Sequence, residues 1–519
     1  MRRLLTLIAL AVYVLAIWRL TVAERGGVPH AELELRGAVP ATLYLPGPGN
    51  PFYQTVAPPP DKRPPAVVLV HGFGGDRALM STLARWMAAN GYGVISIDLR
   101  GHGANRNPFS NDFVRSDALY RDIEAAIVYA RNSPYLDGSR IIVVGHSMGA
   151  GAALTTASRD PNLQGAIMIS GGFRLDGPNR PPNALFIFAQ RDPEFIRQTS
   201  KAIGARLAGT DQIELGKTAG DFADRSAVRV LEIPGEDHVS IVTSKAAGAH
   251  IIEWLDASTG FARPGPIVLL DPRRRAVGFA FVALLVLLTG VGTVVGKLAP
   301  PGEPIDLGTG WPGLLWIAGA LLAAMFAVAT DQPASFESLE VADVQVGWLG
   351  VAGVILVLVY ALRRKIPIRA LFAGIRESIV PAAFGFAIIY ALMVPLGVVF
   401  HRLTPTPERL GLATIAAFLI FPFFAMFESI LRTGGLIEST LRGSAGRAVI
   451  IILSLVGVEV GVMPFVLILI LPSIAIMFVM FEIFAASVYS ERGGNVLVIA
   501  LVESAWLAWI MAATMPVRI

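Results

Sequence analysis

Long apolar runs dominate the second half of this 519-residue chain. Most are near the length of about 20 residues with which an α-helix crosses about 30 Å of hydrocarbon. We predict eight such helices, at 276–298, 311–330, 346–362, 378–400, 410–430, 447–462, 464–488 and 495–515. No polar loop divides the run 447–490, and we place its break at 461–464. The pattern therefore predicts an all-α transmembrane helical bundle.

A ninth apolar run, 4–18, follows Arg2 and Arg3. A basic start before an apolar run is typical of a cleaved signal peptide or of an uncleaved signal anchor. We favour an anchor at 1–23, because residues 21–23 form only a mediocre small-residue cleavage site. The cleaved peptide stays the alternative, and both would carry the next segment across the membrane.

Charged residues divide the chain in the same way, since 55 of its 82 Asp, Glu, Lys and Arg side chains lie before residue 276. A segment of that polarity is expected to be soluble. We therefore predict a soluble domain at 24–262, a linker at 263–275 and a membrane domain of about eight helices at 276–519.

Basic residues are concentrated in alternate loops of the predicted bundle, and such loops face the cytoplasm. With a cytoplasmic N-terminus, the inside loops hold 363–365, Arg369, Arg376, Arg432, Arg442, Arg447 and Arg492. The outer loop 331–343 then has four acids and no base. We predict a multi-pass integral membrane protein with a cytoplasmic N-terminus and an extracytoplasmic soluble domain. Arg402, Arg409 and the run 273–275 are exceptions to this rule.

Four glutamates lie in or near the ends of the predicted membrane helices: Glu428, Glu459, Glu482 and Glu503. An ionised carboxylate in the bilayer centre is costly, so these side chains are expected to face the bundle interior or an interface. They would serve either as a polar cavity or proton path, or as hydrogen-bonding contacts between helices. The sequence leaves the role of the membrane domain open, and we favour an anchor or lipid presenter.

The first half alternates short apolar runs with helical patterns. Val- and Ile-rich runs at 66–70, 94–97, 141–144, 166–169, 185–188 and 228–233 lack a clean polar alternation. Such runs are typical of parallel strands buried on both faces. Helical patterns separate them at 117–131, 148–158, 193–207 and 240–255. The fold class predicted here is α/β with a mainly parallel sheet, whose reactive groups belong at the carboxyl ends of the strands.

The strand ending at Val144 is followed by the sequence Gly-His-Ser-Met-Gly at 145–149 and then by a run of small residues. A serine between a strand and a helix lies on a tight, strained turn that small neighbours allow to pack. The helix N-terminus then directs free N–H groups towards the site. This context predicts that Ser147 is a nucleophile.

A serine nucleophile needs a base, and His238 follows the last predicted strand in a loop that can reach Ser147. The third member should orient the imidazole and stabilise its charged form. Asp192 follows the strand 185–188 and gives the chain order Ser, Asp, His. Glu194 and Asp237 are its rivals, although Asp237 adjoins the histidine and is poorly placed to reach its Nδ1.

Attack on a carbonyl creates an oxyanion, which needs preorganised N–H donors. The amide of Met148, directly after the nucleophile, and that of Phe73, in the glycine-rich sequence 71–75, are the predicted oxyanion hole. Glycine allows a backbone to come close to a ligand. A phosphate-binding interpretation of this loop is weak, because no Gly-Lys-Ser/Thr follows.

Composition excludes several other chemistries. The chain has no cysteine, which rules out disulfides, a thiolate nucleophile and cysteine-ligated metal sites. Its net charge of +4 is spread without a basic face, so we expect no nucleic-acid partner. The sequence predicts no metal and no organic cofactor.

Taken together, 71–74, the sequence Asp-Leu-Arg-Gly-His-Gly at 98–103, the serine turn, Asp192 and His238 resemble the α/β-hydrolase superfamily. The similarity is to its serine esterase, monoacylglycerol lipase-like and dienelactone hydrolase-like branches, and it covers about 230 residues. It implies that 98–103 is a structural turn beside the site. The C-terminal half resembles no family that we recognise.

We therefore predict a membrane-anchored serine hydrolase that cleaves carboxylic esters through an acyl-serine intermediate, with acyl lipids as one candidate class of ester. Its partners would be an ester or lipid substrate and the membrane lipids. The same residues also allow acyl transfer or peptide hydrolysis, and a transporter or sensor whose hydrolase domain modifies its cargo is a further alternative. Acyl-chain length and oligomeric state are left open.

Overall fold

A computed structural model describes residues 2–47, 58–109, 117–171, 175, 178–300, 310–330, 339–492 and 496–518. The chain forms two compact units. An α/β unit comprises Trp18–Ala276, Gly397–Arg402 and Pro516–Ile519, and a helical unit comprises Met1–Ile17, Val277–Leu396 and Leu403–Met515. The predicted limits 24–262 and 276–519 remain predictions, and the α/β unit also includes two short segments from beyond residue 396.

A single nine-stranded sheet forms the centre of the α/β unit. Its strands are β1 His30–Leu35, β2 Val39–Tyr44, β3 Pro65–Val70, β4 Gly93–Ile97, β5 Asp137–His146, β6 Gly165–Ile169, β7 Ala184–Ala189, β8 Thr218–Ala219 and β9 Val228–Ile233. They lie in the order β1-β2-β4-β3-β5-β6-β7-β9-β8. The six strands from β4 to β9 in this order are parallel, whereas β1, β2 and β8 pair antiparallel. The predicted α/β fold class, with its mainly parallel sheet, is confirmed.

Helices cover both faces of this sheet. They are α2 Ser81–Ala89, α3 Ala118–Asn132, α4 Met148–Arg159, α5 Glu194–Ala208 and α6 Lys245–Thr259. Alternate strand residues supply two separate cores: Val68 packs in the core that contains Ile127 and Leu154, and Leu69 in the core that contains Trp86 and Trp254. Because both faces of each central strand are buried, the strands are apolar at successive positions.

The antiparallel pair β1 and β2 was not among the predicted strands, although its signal is present in the sequence. In β1, Ala31, Leu33 and Leu35 alternate with His30, Glu32 and Glu34, which is typical of an edge strand with one exposed face. Between the two strands the backbone of Gly37 has a φ of 78°, as a tight turn requires.

The remaining helices lie wholly or partly in the helical unit, and residues 18–26 of the first and 272–276 of the second belong to the α/β unit. They are α1 Arg2–Gly26, α7 Pro272–Leu298, α8 Gly313–Thr330, α9 Ala342–Arg364, α10 Ile368–Leu371, α11 Ile375–Met393, α12 Pro407–Leu431, α13 Leu436–Glu459, α14 Val466–Arg492 and α15 Val496–Thr514. Within the described part of the chain, eight helical segments are long and apolar enough to cross a membrane. A further span was predicted at 311–330, where α8 contains the shorter apolar segment Gly313–Ala329. The break between α13 and α14 falls where the sequence predicts it, and the outer loop 331–343 lies largely outside the described residues.

Helix α15 is the centre of this unit, since its apolar segment is 83% buried, against 22–50% for the other seven candidate spans in the described residues. A helix that is apolar on all sides is expected in such a position. Its carboxyl end is capped by Arg409, whose Nη1 donates to the carbonyl oxygens of Ala512 at 2.6 Å and Met515 at 2.9 Å. Arg409, an exception to the positive-inside rule, is therefore a buried capping residue.

Five charged side chains meet inside the helical unit: Glu428 and Arg432 of α12, Arg447 of α13, Glu482 of α14 and Glu503 of α15. Glu482 accepts from Nη1 of Arg432 at 2.6 Å and from Nη1 of Arg447 at 2.5 Å. Glu428 accepts from Nε of Arg432 at 2.6 Å and from Nη2 of Arg447 at 3.0 Å, and Glu503 also pairs with Arg447. We call these five residues the buried ion cluster.

Part of the assignment of arginines to cytoplasmic loops was wrong, as the buried ion cluster shows. Arg447, counted as a cytoplasmic loop residue, is buried within α13, which begins at Leu436 rather than at 447. Arg432 and Arg442 are likewise buried. Three of the four membrane glutamates are ion-paired, and the fourth, Glu459, is exposed at the end of α13. These contacts favour helix-to-helix pairing over a proton path for Glu428, Glu482 and Glu503.

Removing one carboxylate from the buried ion cluster should destabilise the helical unit. Glu482→Gln removes the carboxylate that binds both Arg432 and Arg447 and breaks two buried ion pairs, and we expect the free energy of unfolding to fall by about 3–5 kcal/mol. Thermal unfolding in detergent micelles measures this effect. The matched variant Glu459→Gln removes an exposed carboxylate and should leave the midpoint nearly unchanged; equal shifts for both variants would contradict the structural role of the cluster.

Candidate active site

Ser147 lies between the end of β5 and the start of α4, with a half-buried side chain and the strained backbone angles φ 54° and ψ −117°. Glycines on either side make this turn possible. A Cβ on Gly145 would lie 2.0 Å from the carbonyl oxygen of Gly149, and one on Gly149 would lie 2.4 Å from that of His71. The turn therefore requires glycine at both positions, and it projects Ser147 at the carboxyl edge of the sheet.

The structure brings the three predicted triad residues together. His238 Nε2 lies 2.9 Å from Ser147 Oγ, and His238 Nδ1 lies 2.6 Å from Asp192 Oδ1. The three residues follow β5, β7 and β9, whose carboxyl ends share one edge of the sheet. The Asp192 side chain is fully buried and that of His238 is 9% exposed, so water competes little for these hydrogen bonds.

Asp192 is held by two further donors. Its Oδ2 accepts from Ser170 Oγ at 2.6 Å and from the Ala189 amide at 2.7 Å. Burial opposes ionisation of this carboxyl, but its hydrogen bond and attraction to His238, with those from Ser170 and Ala189, hold its pKa below the usual range. Asp192 is therefore an anion at neutral pH. Sequence reasoning missed Ser170, whose only signal is its place directly after a buried strand.

His146 supports His238 from the other side, and it too was missed as a site residue. Its Nε2 donates to the carbonyl oxygen of His238 at 2.8 Å. Burial lowers the pKa of His146 to about 3, so its ring is neutral. The contact fixes the backbone at His238 and joins the serine turn to the histidine loop.

The rivals of Asp192 are engaged elsewhere. Glu194 is exposed in the first turn of α5 and pairs with Arg197. Asp237 Oδ1 accepts from the amides of Val239 at 2.9 Å and Ser240 at 2.8 Å, which holds the turn after His238. Neither carboxylate contacts the imidazole among the described hydrogen bonds.

The glycine-rich segment 71–77, here called the oxyanion loop, lies against the nucleophile. A Cβ on Gly72 would be 2.9 Å from Cβ of Ser147. Inside the loop, the Gly75 amide donates to the Gly72 carbonyl at 3.1 Å, and Nδ1 of His71 donates to the same oxygen at 2.7 Å. Nε2 of His71 accepts from the Leu99 amide at 3.0 Å, which fixes the tautomer.

The two predicted oxyanion donors, the amides of Met148 and Phe73, lie in different segments of the chain. Met148 is the first residue of α4, and an amide there has no acceptor within the helix. Phe73 follows Gly72, the residue in contact with Ser147. Their role as an oxyanion hole remains a prediction.

The segment 98–103 has the geometry of a structural turn. Asp98 Oδ1 accepts from the Arg77 amide at 2.9 Å, and its Oδ2 accepts from the Ala104 amide at 2.9 Å. The ring of His102 packs on Phe73 at 5.8 Å between centroids, and its Nδ1 is 2.9 Å from the Arg100 carbonyl. Within the described residues, no group of three or more His, Asp or Glu side chains is placed to bind a metal.

Comparisons with known proteins agree with this architecture. Residues 61–207 match the family model described as serine aminopeptidase, S33, a segment that contains Ser147 and Asp192 and ends before His238. Cutinase 2 of Thermobifida cellulosilytica is 32% identical over 111 residues, which cover 20% of this chain and 38% of that protein. A putative esterase/lipase of Haemophilus influenzae is 28% identical over 157 residues, covering 29% and 50%.

These alignments span half or less of the curated relatives. Among solved structures, a hyperthermophilic esterase from the archaeon Pyrobaculum calidifontis has 16% sequence identity and a TM-score of 0.32, covering 50% of this chain and 96% of that one. The family match, at residues 61–207, lies in the N-terminal part of the chain.

The contact between Ser170 and Asp192 is open to test. Ser170→Ala removes a hydrogen bond to a buried carboxylate, typically worth about 1.5–3 kcal/mol, so we expect a fluorophosphonate to label Ser147 roughly 10- to 100-fold more slowly. Loss of this hydrogen bond also raises the pKa of Asp192. As the pH is lowered, labelling of Ser170→Ala should therefore stop at a higher pH than labelling of the wild type. Ser158→Ala, which removes a hydroxyl bonded within α4, is the matched control. Identical rates and pH profiles for all three proteins would contradict the assignment.

Proposed function

We propose that the N-terminal part of this chain, an α/β-hydrolase domain of the esterase-type serine hydrolases, cleaves carboxylic esters through an acyl-serine intermediate. Ser147 is the nucleophile, His238 the general base and acid, and Asp192 the group that orients the imidazole. The observation that carries the proposal is the continuous relay of 2.9 Å and 2.6 Å from Ser147 through His238 to Asp192.

Acylation begins when Oγ of Ser147 attacks the ester carbonyl carbon while its proton moves to Nε2 of His238. The π electrons of the carbonyl move to oxygen, and the amides of Phe73 and Met148 bind the resulting oxyanion. The tetrahedral intermediate then collapses and breaks the bond to the alkoxy oxygen. That oxygen takes the proton from Nε2, so alcohol leaves and an acyl group stays on Ser147.

Deacylation repeats these steps with water. His238 removes a proton from the water as it attacks the acyl-serine carbonyl, and it returns that proton to Oγ when the carboxylic acid leaves. The imidazolium formed in each half-reaction lies 2.6 Å from the anionic Asp192, which stabilises that charge in a site with little water. Ser170 and the Ala189 amide keep Asp192 in place by binding its second oxygen.

Esters are favoured over peptides as substrates because the curated relatives that match include proteins named cutinase and esterase/lipase. Peptide hydrolysis is the second candidate, favoured by the serine aminopeptidase family model over 61–207. An ester and an amide that carry the same acyl group separate the two. The eight long apolar helices found in the described residues support a membrane protein, and within the ester class they motivate acyl lipids as substrates.

A transport or sensing role is the alternative that the membrane glutamates motivated. The pairing of Glu428 and Glu482 with arginines gives these side chains a structural explanation. It therefore weakens the case for a transport path through them.

Acyl transfer to an alcohol or amine would use the same triad residues and differ only in the acceptor. Product analysis with competing acceptors distinguishes it from hydrolysis.

The nucleophile is tested with a fluorophosphonate probe and with turnover of short-chain p-nitrophenyl esters. We expect Ser147→Ala to abolish labelling and turnover, and Asp192→Asn to lower kcat by up to about 10⁴-fold because the imidazole loses its orienting anion. Asp237→Asn removes a neighbouring carboxylate outside the relay and should keep nearly full activity. Equal labelling of wild type and Ser147→Ala would contradict the proposal.

We also propose that the α/β-hydrolase domain is extracytoplasmic. The absence of native cysteine makes the chain a clean background for introduced thiols. Glu214 and Arg369 are exposed, the first in the α/β unit and the second in the loop predicted to be cytoplasmic. In intact cells an impermeant maleimide should label Glu214→Cys at once and Arg369→Cys only after permeabilisation. The reverse pattern would show the opposite orientation.

A further inference from the structure

The segment Gly397–Arg402 lies between α11 and α12 in the sequence, yet it belongs to the α/β unit. Within that unit it contacts the oxyanion loop through His401 and Arg402. No sequence signal marked His401 as a site residue. It also lies outside the range 24–262 predicted for the hydrolase domain.

His401 donates a hydrogen bond to the backbone of the oxyanion loop. Its Nε2 is 3.1 Å from the carbonyl oxygen of Gly74 and its Nδ1 is 3.3 Å from the carbonyl oxygen of Arg402, so both ring nitrogens face acceptors. A proton on Nε2 is donated to Gly74. The residue is 9% exposed. Burial of this kind strengthens a hydrogen bond and makes the loss of one partner costly.

Asp76 fixes the position of the His401 segment. One oxygen of its fully buried carboxylate accepts from the Arg402 amide at 2.7 Å and lies 3.2 Å from Nδ1 of His401. The other accepts from the amides of Ala78 at 2.9 Å and Leu79 at 3.2 Å. One carboxylate thus joins the end of the oxyanion loop to the His401 segment.

The contact at Gly74 connects to the predicted oxyanion donor through two peptide groups. The Gly74 carbonyl and the Gly75 N–H belong to one planar peptide, and that N–H donates to the Gly72 carbonyl at 3.1 Å. The Gly72 carbonyl and the Phe73 N–H belong to a second peptide. A donor at Gly74 oxygen therefore starts a chain of hydrogen bonds that ends at the Phe73 amide, and bonds in such chains polarise one another.

We infer that His401 is a positioning residue for the oxyanion hole, acting on the Phe73 amide through the peptides 74–75 and 72–73. The inference rests on the proposed function, since it assigns the Phe73 N–H to the reacting oxygen. His401 fixes the orientation of this amide and increases its positive charge. We expect His401 to stabilise the transition state, in which the carbonyl oxygen of the substrate is negative, and to leave substrate binding unchanged.

The experiment compares three variants of the full-length protein, each normalised to the fraction of active sites that a fluorophosphonate labels at completion. His401→Phe keeps a ring of similar size and loses the donor, and we expect kcat on a p-nitrophenyl ester to fall about tenfold with KM unchanged. His401→Gln supplies an amide donor and should recover most of the loss. His250→Ala alters a histidine of α6 whose side chain is 39% exposed, and it should match the wild type.

A trifluoromethyl ketone, whose adduct with Ser147 carries an oxyanion, adds a readout that general loosening of the fold would not reproduce. Its affinity should fall in His401→Phe by the same factor as kcat/KM. Unchanged kcat and inhibitor affinity in His401→Phe, with activity that still depends on Ser147, would overturn the inference alone. Activity that survives in Ser147→Ala would instead overturn the proposed function.

Discussion

The strained backbone of Ser147 is the constraint on which the rest of the site depends. A serine with φ of 54° is tolerated only where its surroundings fix it, and here glycines at 72, 145, 149 and 171 leave no room for a Cβ. Gly171 would place such an atom 2.4 Å from the Ser147 carbonyl oxygen. Close packing of three chain segments therefore forces the hydroxyl outward, to the place where the loops after β7 and β9 bring Asp192 and His238.

Much of this arrangement could be predicted, because the signals are local. The serine turn is fixed by the succession of a buried strand, Gly-His-Ser-Met-Gly and a small-residue helix. Asp192 and His238 each follow a strand of the same parallel sheet, so sheet topology alone brings them to one edge. Ser170 and His146 were missed because their roles depend on which side chains face one another, and one sequence does not contain that information.

The helical half was predictable at the level of its apolar helices but less so for its charges. Hydropathy locates the helices, yet it treats every arginine near a helix end as a loop residue. Arg447 and Arg409 are instead buried, the first among three carboxylates and the second at the carboxyl end of α15. Their partners lie far away in the sequence, so the positive-inside count overstated the evidence for orientation. His401 escaped notice for the same reason, since its contacts with Gly74 and Asp76 join distant parts of the chain.

In the proposed reaction Ser147 carries the acyl group of the substrate. Acid quenching during steady-state turnover of an activated ester, followed by proteolysis and mass spectrometry, detects this intermediate. We expect the peptide that contains Ser147 to gain the mass of the acyl group, and His238→Ala to prevent this gain. Continued turnover with that peptide unmodified, or with the acyl group on another residue, would show that Ser147 is not the nucleophile.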